Sequence, residues 1–271
     1  MIENLYFYLP QIIIGTIVGL FTAIIGIFVI LRKTIFMGVT LSQSITVAII
    51  IILLFDLHFK GLVHFLAMIL FLPIYLLHNK VINKDALLAS GFVFFAALGQ
   101  ILTTIGANVQ NHIVAAYFGN ILFLSEKQWL HIVIPIILIS IILWIFYRWF
   151  LAISFDQEYA YIANLPVNLI ETLYFLVLSA TLSLSIYFMG SFYSIAHLII
   201  PGIIALQISR SMKSTFIIAI LISVFSTIVG FIISLMEINI ANTKFNLPTS
   251  STIILVLSLN FVFLLFKKFT K

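Results

Sequence analysis

The chain has 271 residues, of which 63% are hydrophobic and 8% are charged, and its formal net charge is +5. An average soluble domain carries about 25% charged residues, and a soluble fold of this length could not bury so much apolar surface. The composition therefore excludes a soluble globular protein and predicts an all-α polytopic membrane protein. Continuous apolar runs of roughly 20 residues also exclude a transmembrane β-barrel, whose strands alternate.

Windows of about 19 residues predict nine membrane spans. In chain order they cover residues 10–31, 36–55, 61–77, 86–107, 129–150, 169–189, 191–207, 214–236 and 251–267. Only the short sequence FMGS separates the sixth span from the seventh. If one of these runs is re-entrant, the number of spans falls to eight and the N-terminus changes sides.

Lys and Arg residues cluster at alternate ends of the predicted spans. They are Arg32, Lys33, Lys80, Lys84, Arg148, Arg210, Lys213, Lys267, Lys268 and Lys271. Loops rich in these residues stay in the cytoplasm, so nine spans predict an external N-terminus and a cytoplasmic C-terminus. Because the basic residues lie at span ends, the net charge gives no indication of nucleic-acid binding, and membrane lipid is the expected partner of the apolar surface.

The second span is apolar except for a polar cluster in the stretch IFMGVTLSQS, residues 35–44. Thr40, Ser42, Gln43 and Ser44 lie within five positions, at a depth where polar groups are costly unless they are bonded or hydrated. The cluster predicts a helix face that lines a transport path.

The most polar internal stretch, AISFDQEYAYIANLPVNLIETLY, covers residues 152–174. It predicts a short amphipathic helix at about 157–164, followed by the next span. A helix that rests on lipid headgroups is typically rich in Lys and Arg on its polar face. This one carries Asp156 and Glu158, which favours docking to a protein over resting on the membrane surface.

Ionisable residues near or inside spans are candidate functional residues. His197 lies about seven residues into its span, roughly 10 Å deep at 1.5 Å per residue, and is either a path or metal ligand or a hydrogen-bonded packing residue. Asp56, His58 and His64 lie near the outer ends of spans two and three. They could collect a metal cation at the mouth of a path, and the alternative is an ordinary solvated loop.

The sequence contains no arrangement typical of an enzyme active site. It has no G-x-x-x-x-G-K-[ST] motif for binding ATP through a P-loop, and no H-E-x-x-H motif of a zinc protease. It also has no cysteine, which excludes disulfides and thiolate metal ligands. These features favour a transporter or channel over an enzyme.

Five segments carry a family resemblance. In chain order they are GIFVILRKTIFMGVTLSQS (26–44), YFGNILFLS (117–125), ISFDQEYAYIANLPV (153–167), MGSFYSIAHLIIPG (189–202) and FNLPTSST (245–252). Through them the chain resembles the membrane permease subunits of ABC importers that take up zinc and manganese. The resemblance implies a single permease domain over residues 1–271 in a bacterial cytoplasmic membrane. It also implies that the transported ion is zinc, or second to it manganese, and that the chain binds no cofactor.

The resemblance further implies partners. Two ABC ATPase subunits would dock on a coupling helix at about 155–166. The positions carried over from the family are Phe155, Asp156, Glu158, Ala160 and Pro166. A second permease copy, identical or related, would complete the transmembrane path, and an external metal-binding protein would deliver the ion.

The sequence departs from the family in the second span, which usually carries an Asp and, four residues later, a His. In the family these residues share one helix face and line the path as metal ligands, but here the two positions hold Val39 and Gln43. Three interpretations stay open: a divalent metal bound by other ligands, a hydrated ion or neutral solute, or a partner permease that supplies the ligands. A stand-alone secondary transporter or channel is the alternative outside this family, but almost every carboxylate lies outside the predicted spans, where ion coupling is not expected.

Overall fold

The computed structural model describes residues 7–56, 62–78, 83–105, 116–119, 129–236, 238–240, 243–245 and 247–269. Over these residues the fold is a bundle of α-helices with one small β-hairpin. The helices are α1 (Leu9–Leu31), α2 (Ile35–Leu54), α3 (Leu62–His78), α4 (Lys84–Ile105), α5 (Trp129–Phe155), α6 (Gln157–Ile162), α7 (Val167–Met189), α8 (Ser191–Ile208), α9 (Met212–Ser234) and α10 (Thr249–Phe269). The strands are β1 (Ile238–Ile240) and β2 (Thr243–Phe245).

Each of the nine predicted spans coincides with one of these helices, so the predicted polytopic all-α fold is confirmed. Seven of the helices are long and apolar enough to cross a membrane, and α3 and α10 contain the shorter apolar stretches Leu62–Leu77 and Thr249–Leu264. Large apolar side chains such as Trp144, Phe225 and Phe263 are exposed on the outside of the bundle. A surface of this kind is expected to be covered by lipid.

Gly190 separates α7 from α8, so the sixth and seventh predicted spans are two helices. Its φ angle of 89° lies in the region that favours glycine, and its N–H donates to the carbonyl of Ile186 at 3.0 Å. The chain folds back at this point, since the Ser194 hydroxyl donates to the Ser185 hydroxyl at 2.7 Å. The backbone of Gly119 lies directly against Gly190 and leaves no room for a side chain at either position.

The helices form two groups that meet at α7. In the first group, α1 packs against α8 and α9, and α10 packs against the same two helices. In the second group, α2 packs against α3 and α4. Helix α7 contacts α1, α2, α5 and α8, and so joins the two groups. The first group is closely packed because Gly26 presents no side chain toward the carbonyl of Leu198.

Several of the helix ends that the basic residues mark as cytoplasmic lie together at one end of the bundle. Arg32 after α1, Lys84 at the start of α4 and Phe155 at the end of α5 line one cleft there. Leu31 of α1 and Met212 at the start of α9 pack on one small apolar cluster. The short helix α6, which follows Phe155, is therefore at the basic end of the bundle.

The β-hairpin between α9 and α10 is not predicted by the sequence analysis. It pairs Ile238 with Phe245 and Ile240 with Thr243 in antiparallel register. Strands of three residues are too short to show the alternation of apolar and polar residues that predicts a strand. The hairpin connects two apolar helices and leaves the all-α architecture of the bundle unchanged.

Candidate functional site

The polar cluster of α2 is buried at the centre of the second helix group. The Thr40 hydroxyl donates to the carbonyl of Leu88 on α4 at 2.7 Å, and the Ser44 hydroxyl lies 3.5 Å from the carbonyl of Ala67 on α3. Ser42 donates to the carbonyl of Val39 at 2.7 Å. Backbone carbonyls thus satisfy these hydroxyls, the common arrangement for Ser and Thr inside helices. Their predicted role as path-lining groups stays a prediction.

Gln43 differs from the hydroxyl residues around it. Its side chain is only 3% exposed. Among the described residues, the hydrogen bonds of the cluster are all made by the neighbouring hydroxyls, including that of Thr46, and not by the Gln43 amide. A buried amide has two donor hydrogens and an acceptor oxygen that require partners. Gln43 is therefore the side chain of the cluster most available to a solute, water or a partner chain.

His197 lies fully buried in the other helix group, between α8, α1 and α9. Its Nδ1 is 3.2 Å from the carbonyl of Tyr193, and its Nε2 is 3.1 Å from Thr227 Oγ1. The ring also lies against Gly19, where an added Cβ would clash with it. Both ring nitrogens thus have partners within the protein, the geometry of the packing alternative. A role of His197 as a metal ligand stays a prediction.

The structure leaves the predicted outer cation site incomplete. Asp56 follows α2 and is exposed, and His64 is half-buried on α3, where no described residue accepts a hydrogen bond from or donates one to its Nδ1. His58 lies outside the described residues. Within the part of the chain that the structure describes, no three His, Asp or Glu side chains come together as a metal site.

The predicted short helix is present as α6. It begins where the Asp156 carboxylate accepts a hydrogen bond from the N–H of Tyr159 at 2.9 Å, the arrangement of a helix N-cap. It ends two residues before the predicted end. Asn164 has a φ angle of 54°, which is incompatible with a continuing right-handed helix. The carbonyl of Ala160 accepts from the N–H of Leu165 at 3.0 Å and so closes the helix.

The coupling positions do not all face outward. Phe155, Asp156, Glu158 and Pro166 are exposed, whereas Ala160 is fully buried on the inner face of α6. Ala160 therefore supports the helix and is not available for contact with a partner, a distinction that the sequence pattern does not make.

Several aromatic and aliphatic side chains of this region are exposed. The exposed fractions are 62% for Phe155, 63% for Tyr159, 51% for Tyr161 and 79% for Ile162. Exposed aromatic residues are enriched in protein interfaces. We call these four residues the α6 apolar surface.

A cleft of about 860 Å³ lies beside α6 and is not predicted by the sequence analysis. Arg32, Lys84, Asp85, Gln157, Glu171 and Tyr174 are among the residues that line it. These residues come from four separate parts of the chain, so no local pattern could have identified the cleft. It places the turn between α1 and α2 next to α6.

Comparison with known proteins extends these observations to the whole chain. The sequence matches the ABC 3 transport family over residues 4–268. It is 30% identical over 260 residues to the high-affinity zinc uptake system membrane protein ZnuB of Buchnera aphidicola subsp. Baizongia pistaciae. This match covers 94% of this chain and 95% of the relative. It is 24% identical to the manganese import system permease protein ScaB of Streptococcus gordonii, over 96% of this chain and 91% of that protein.

The fold is also similar to a solved structure, PsaBC from Streptococcus pneumoniae in complex with Fab. The TM-score is 0.83 at 23% identity, and the match covers 97% of this chain and 93% of the other. At that identity the likeness shows a shared fold. The resemblance predicted from the five sequence segments is confirmed, since the family match spans nearly all of the residues, and the chain belongs to the ABC 3 transport family.

Proposed function

We propose that this chain is the transmembrane permease subunit of an ATP-driven importer for a divalent metal ion, with zinc ahead of manganese. The observation that carries the proposal is the family match over residues 4–268. The zinc uptake relative is 30% identical over almost the full length, and the manganese relative is 24% identical. The metal is the cargo of this chain, and ATP hydrolysis takes place on a partner subunit.

The α6 apolar surface supports a cytoplasmic ATPase partner. The α6 apolar surface lies beside the exposed carboxylates of Asp156 and Glu158, at the end of the bundle where the basic residues lie. We assign this end to the cytoplasmic face of a bacterial inner membrane, because Lys and Arg mark cytoplasmic loops. Two ATPase copies would dock there, one on each of two permease subunits, and a metal-binding protein would dock at the opposite end.

We assign the transport path to the polar face of α2. Gln43 occupies the position at which the family carries a histidine, and within the polar cluster of α2 it is the buried side chain most available to a solute. An amide is a poor zinc ligand compared with His or carboxylate, so the amide would contact an ion that keeps part of its water. Asp56, His58 and His64 would collect the cation at the outer mouth, and His197 would support the neighbouring helices.

Charge reversal on α6 tests the docking assignment. Glu158 is exposed, and Glu158→Lys is expected to lower the amount of P-loop ATPase that co-purifies with the tagged chain from host membranes. Asp85→Lys, an exposed charge reversal at the same end of the bundle, is the matched control and is expected to retain the ATPase. Equal ATPase recovery from both variants, or no ATPase with the unaltered chain, would contradict the proposal.

A further inference from the structure

Arg32 is held between two helices that are distant from it in sequence. It lies in the turn between α1 and α2, where its Nε donates to the Ser154 hydroxyl at 3.1 Å. Its guanidinium carbon lies 4.1 Å from the centre of the Tyr174 ring, in a cation–π arrangement. Ser154 and Tyr174 are themselves buried. The turn before α2 is thus fixed to the end of α5 and to the first part of α7.

A second contact joins the same turn to α7. The Thr34 hydroxyl is 3.1 Å from the Tyr174 hydroxyl, and α2 begins at the next residue, Ile35. Tyr174 therefore contacts both Arg32 through its ring and Thr34 through its oxygen. A displacement of Tyr174 acts directly on the first turn of the helix that carries Gln43.

The other side of this connection is α6. Ser154 lies two residues before Asp156, the N-cap of α6. The Gln157 amide donates to the Glu171 carboxylate at 3.0 Å, and the Tyr161 hydroxyl donates to Asn168 Oδ1 at 3.3 Å. Both acceptors lie within the two turns of α7 that precede Tyr174. A force on α6 consequently reaches Ser154 and Tyr174, the two residues that hold Arg32.

Arg32 is half-buried, and removing its charge from water carries a cost in stability. Desolvation lowers the pKa of the Arg32 guanidinium from its ordinary value, while electrostatic interactions with Tyr174 and Glu171 oppose that shift. Its Nη2 is buried and has no hydrogen-bond partner among the described residues. Apolar residues often stabilise a buried site as well as a charged group does. The planar guanidinium does supply a rigid link, since it stacks and donates at the same time.

We propose that Arg32 is a positioning residue that transmits the movement of α6 to the start of α2, and so couples ATP hydrolysis to opening of the path. The proposal rests on the proposed function of α6 as the ATPase-docking helix. Arg32 touches neither the transported ion nor ATP. It acts by holding the turn between α1 and α2 in a fixed position relative to the end of α5, α6 and the start of α7.

Arg32→Lys tests the proposal because it keeps the positive charge and removes the planar stack and the Nε donor. Lys33→Gln is the matched control, since Lys33 is the neighbouring cation and is exposed. Both variants are reconstituted with the co-purified ATPase and metal-binding protein, and zinc uptake and ATP hydrolysis are measured together. We expect Arg32→Lys to transport about fivefold fewer ions per ATP hydrolysed, with ATPase recovery unchanged. Unchanged ions per ATP would overturn the proposal, as would a parallel loss of hydrolysis and complex.

A distance measurement on the permease alone separates this proposal from the proposed function. The chain has no native cysteine, so spin labels can be placed by Phe36→Cys at the start of α2 and Ile162→Cys on α6, both at exposed positions. We expect a narrow distance distribution in the otherwise unaltered chain and in Lys33→Gln, and a broader one in Arg32→Lys. If all three distributions agree, the link is wrong even where the ATPase docks. If the distribution broadens but no ATPase docks, the link stands and the proposed function is wrong.

Discussion

The Tyr193 ring stacks on the His197 imidazole, with ring centroids 3.9 Å apart and ring planes 22° from parallel. Both side chains also reach Thr227 Oγ1, at 3.2 Å from the Tyr193 oxygen and 3.1 Å from His197 Nε2. The Tyr193 hydroxyl donates to the carbonyl of Gly15 at 3.0 Å. This buried network joins α8 to α9 and α1, and it gives His197 the contacts of a packing residue.

His197→Ala is expected to destabilise the protein. The substitution removes the stacked ring and leaves a cavity, a change that costs about 2–4 kcal/mol at a buried site. Tyr193→Phe is the matched comparison, because it keeps the stack and removes only the hydroxyl, which costs about 1 kcal/mol. Thermal unfolding in detergent measures both. A His197→Ala protein as stable as the unaltered chain but unable to transport zinc would identify His197 as a path ligand.

Gln43→Ala is expected to reduce metal uptake and leave the ATPase complex intact, since the residue is buried in α2 and far in sequence from the α6 apolar surface. Thr22→Ala on α1 is the control, because Thr22 is buried outside the polar cluster of α2 and its hydroxyl bonds to its own helix backbone. Uptake in proteoliposomes and ATPase recovery are measured for each variant. Unchanged uptake by Gln43→Ala would remove this residue from the path.

Restoring the family pair tests the same position from the other direction. Val39→Asp combined with Gln43→His places a carboxylate and an imidazole four residues apart on one face of α2, and both groups are preferred zinc ligands. We expect the double variant to take up zinc at about tenfold lower concentration, in line with a gain of about 1.4 kcal/mol. A concentration dependence identical to that of the unaltered chain would show that this face of α2 does not contact the ion.

Ala160→Leu is expected to impair ATPase docking without altering any exposed residue. Ala160 is fully buried on the inner face of α6, and added methyl groups at a packed site cost about 1–3 kcal/mol and shift the backbone. Ala163→Leu is the matched control, since Ala163 is exposed at the end of the same helix. ATPase co-purification measures the effect. If Ala160→Leu retained the full amount of ATPase, the position of α6 would not depend on this residue.

The spans and α6 could be predicted because their signals are local. Continuous apolar runs give the nine helices, and the polar amphipathic stretch after the fifth span gives α6. The interior of the site depends on contacts between distant residues. Arg32 stacks on a tyrosine that follows it by more than 140 positions, and His197 meets Thr227 across a helix interface. Apolar composition is similar at all helix faces, so it does not specify these pairs.

The inward orientation of Ala160 was equally inaccessible to the sequence analysis. The family motif contains both exposed and buried positions of α6, and a six-residue helix is too short for periodicity to separate them. The sequence placed the polar residues of α2 deep inside a span but did not indicate their hydrogen-bond partners. Thr40, for example, bonds to the carbonyl of Leu88 on another helix.

Reconstitution with and without the ATPase tests the central claim most directly. The purified chain is placed in liposomes alone, or with the co-purified ATPase and the external metal-binding protein, and zinc accumulation is followed with and without ATP. The proposed function predicts accumulation against a gradient only in the complete assembly supplied with ATP. Concentrative uptake by the chain alone, driven by an ion gradient, would contradict it and would identify a secondary transporter.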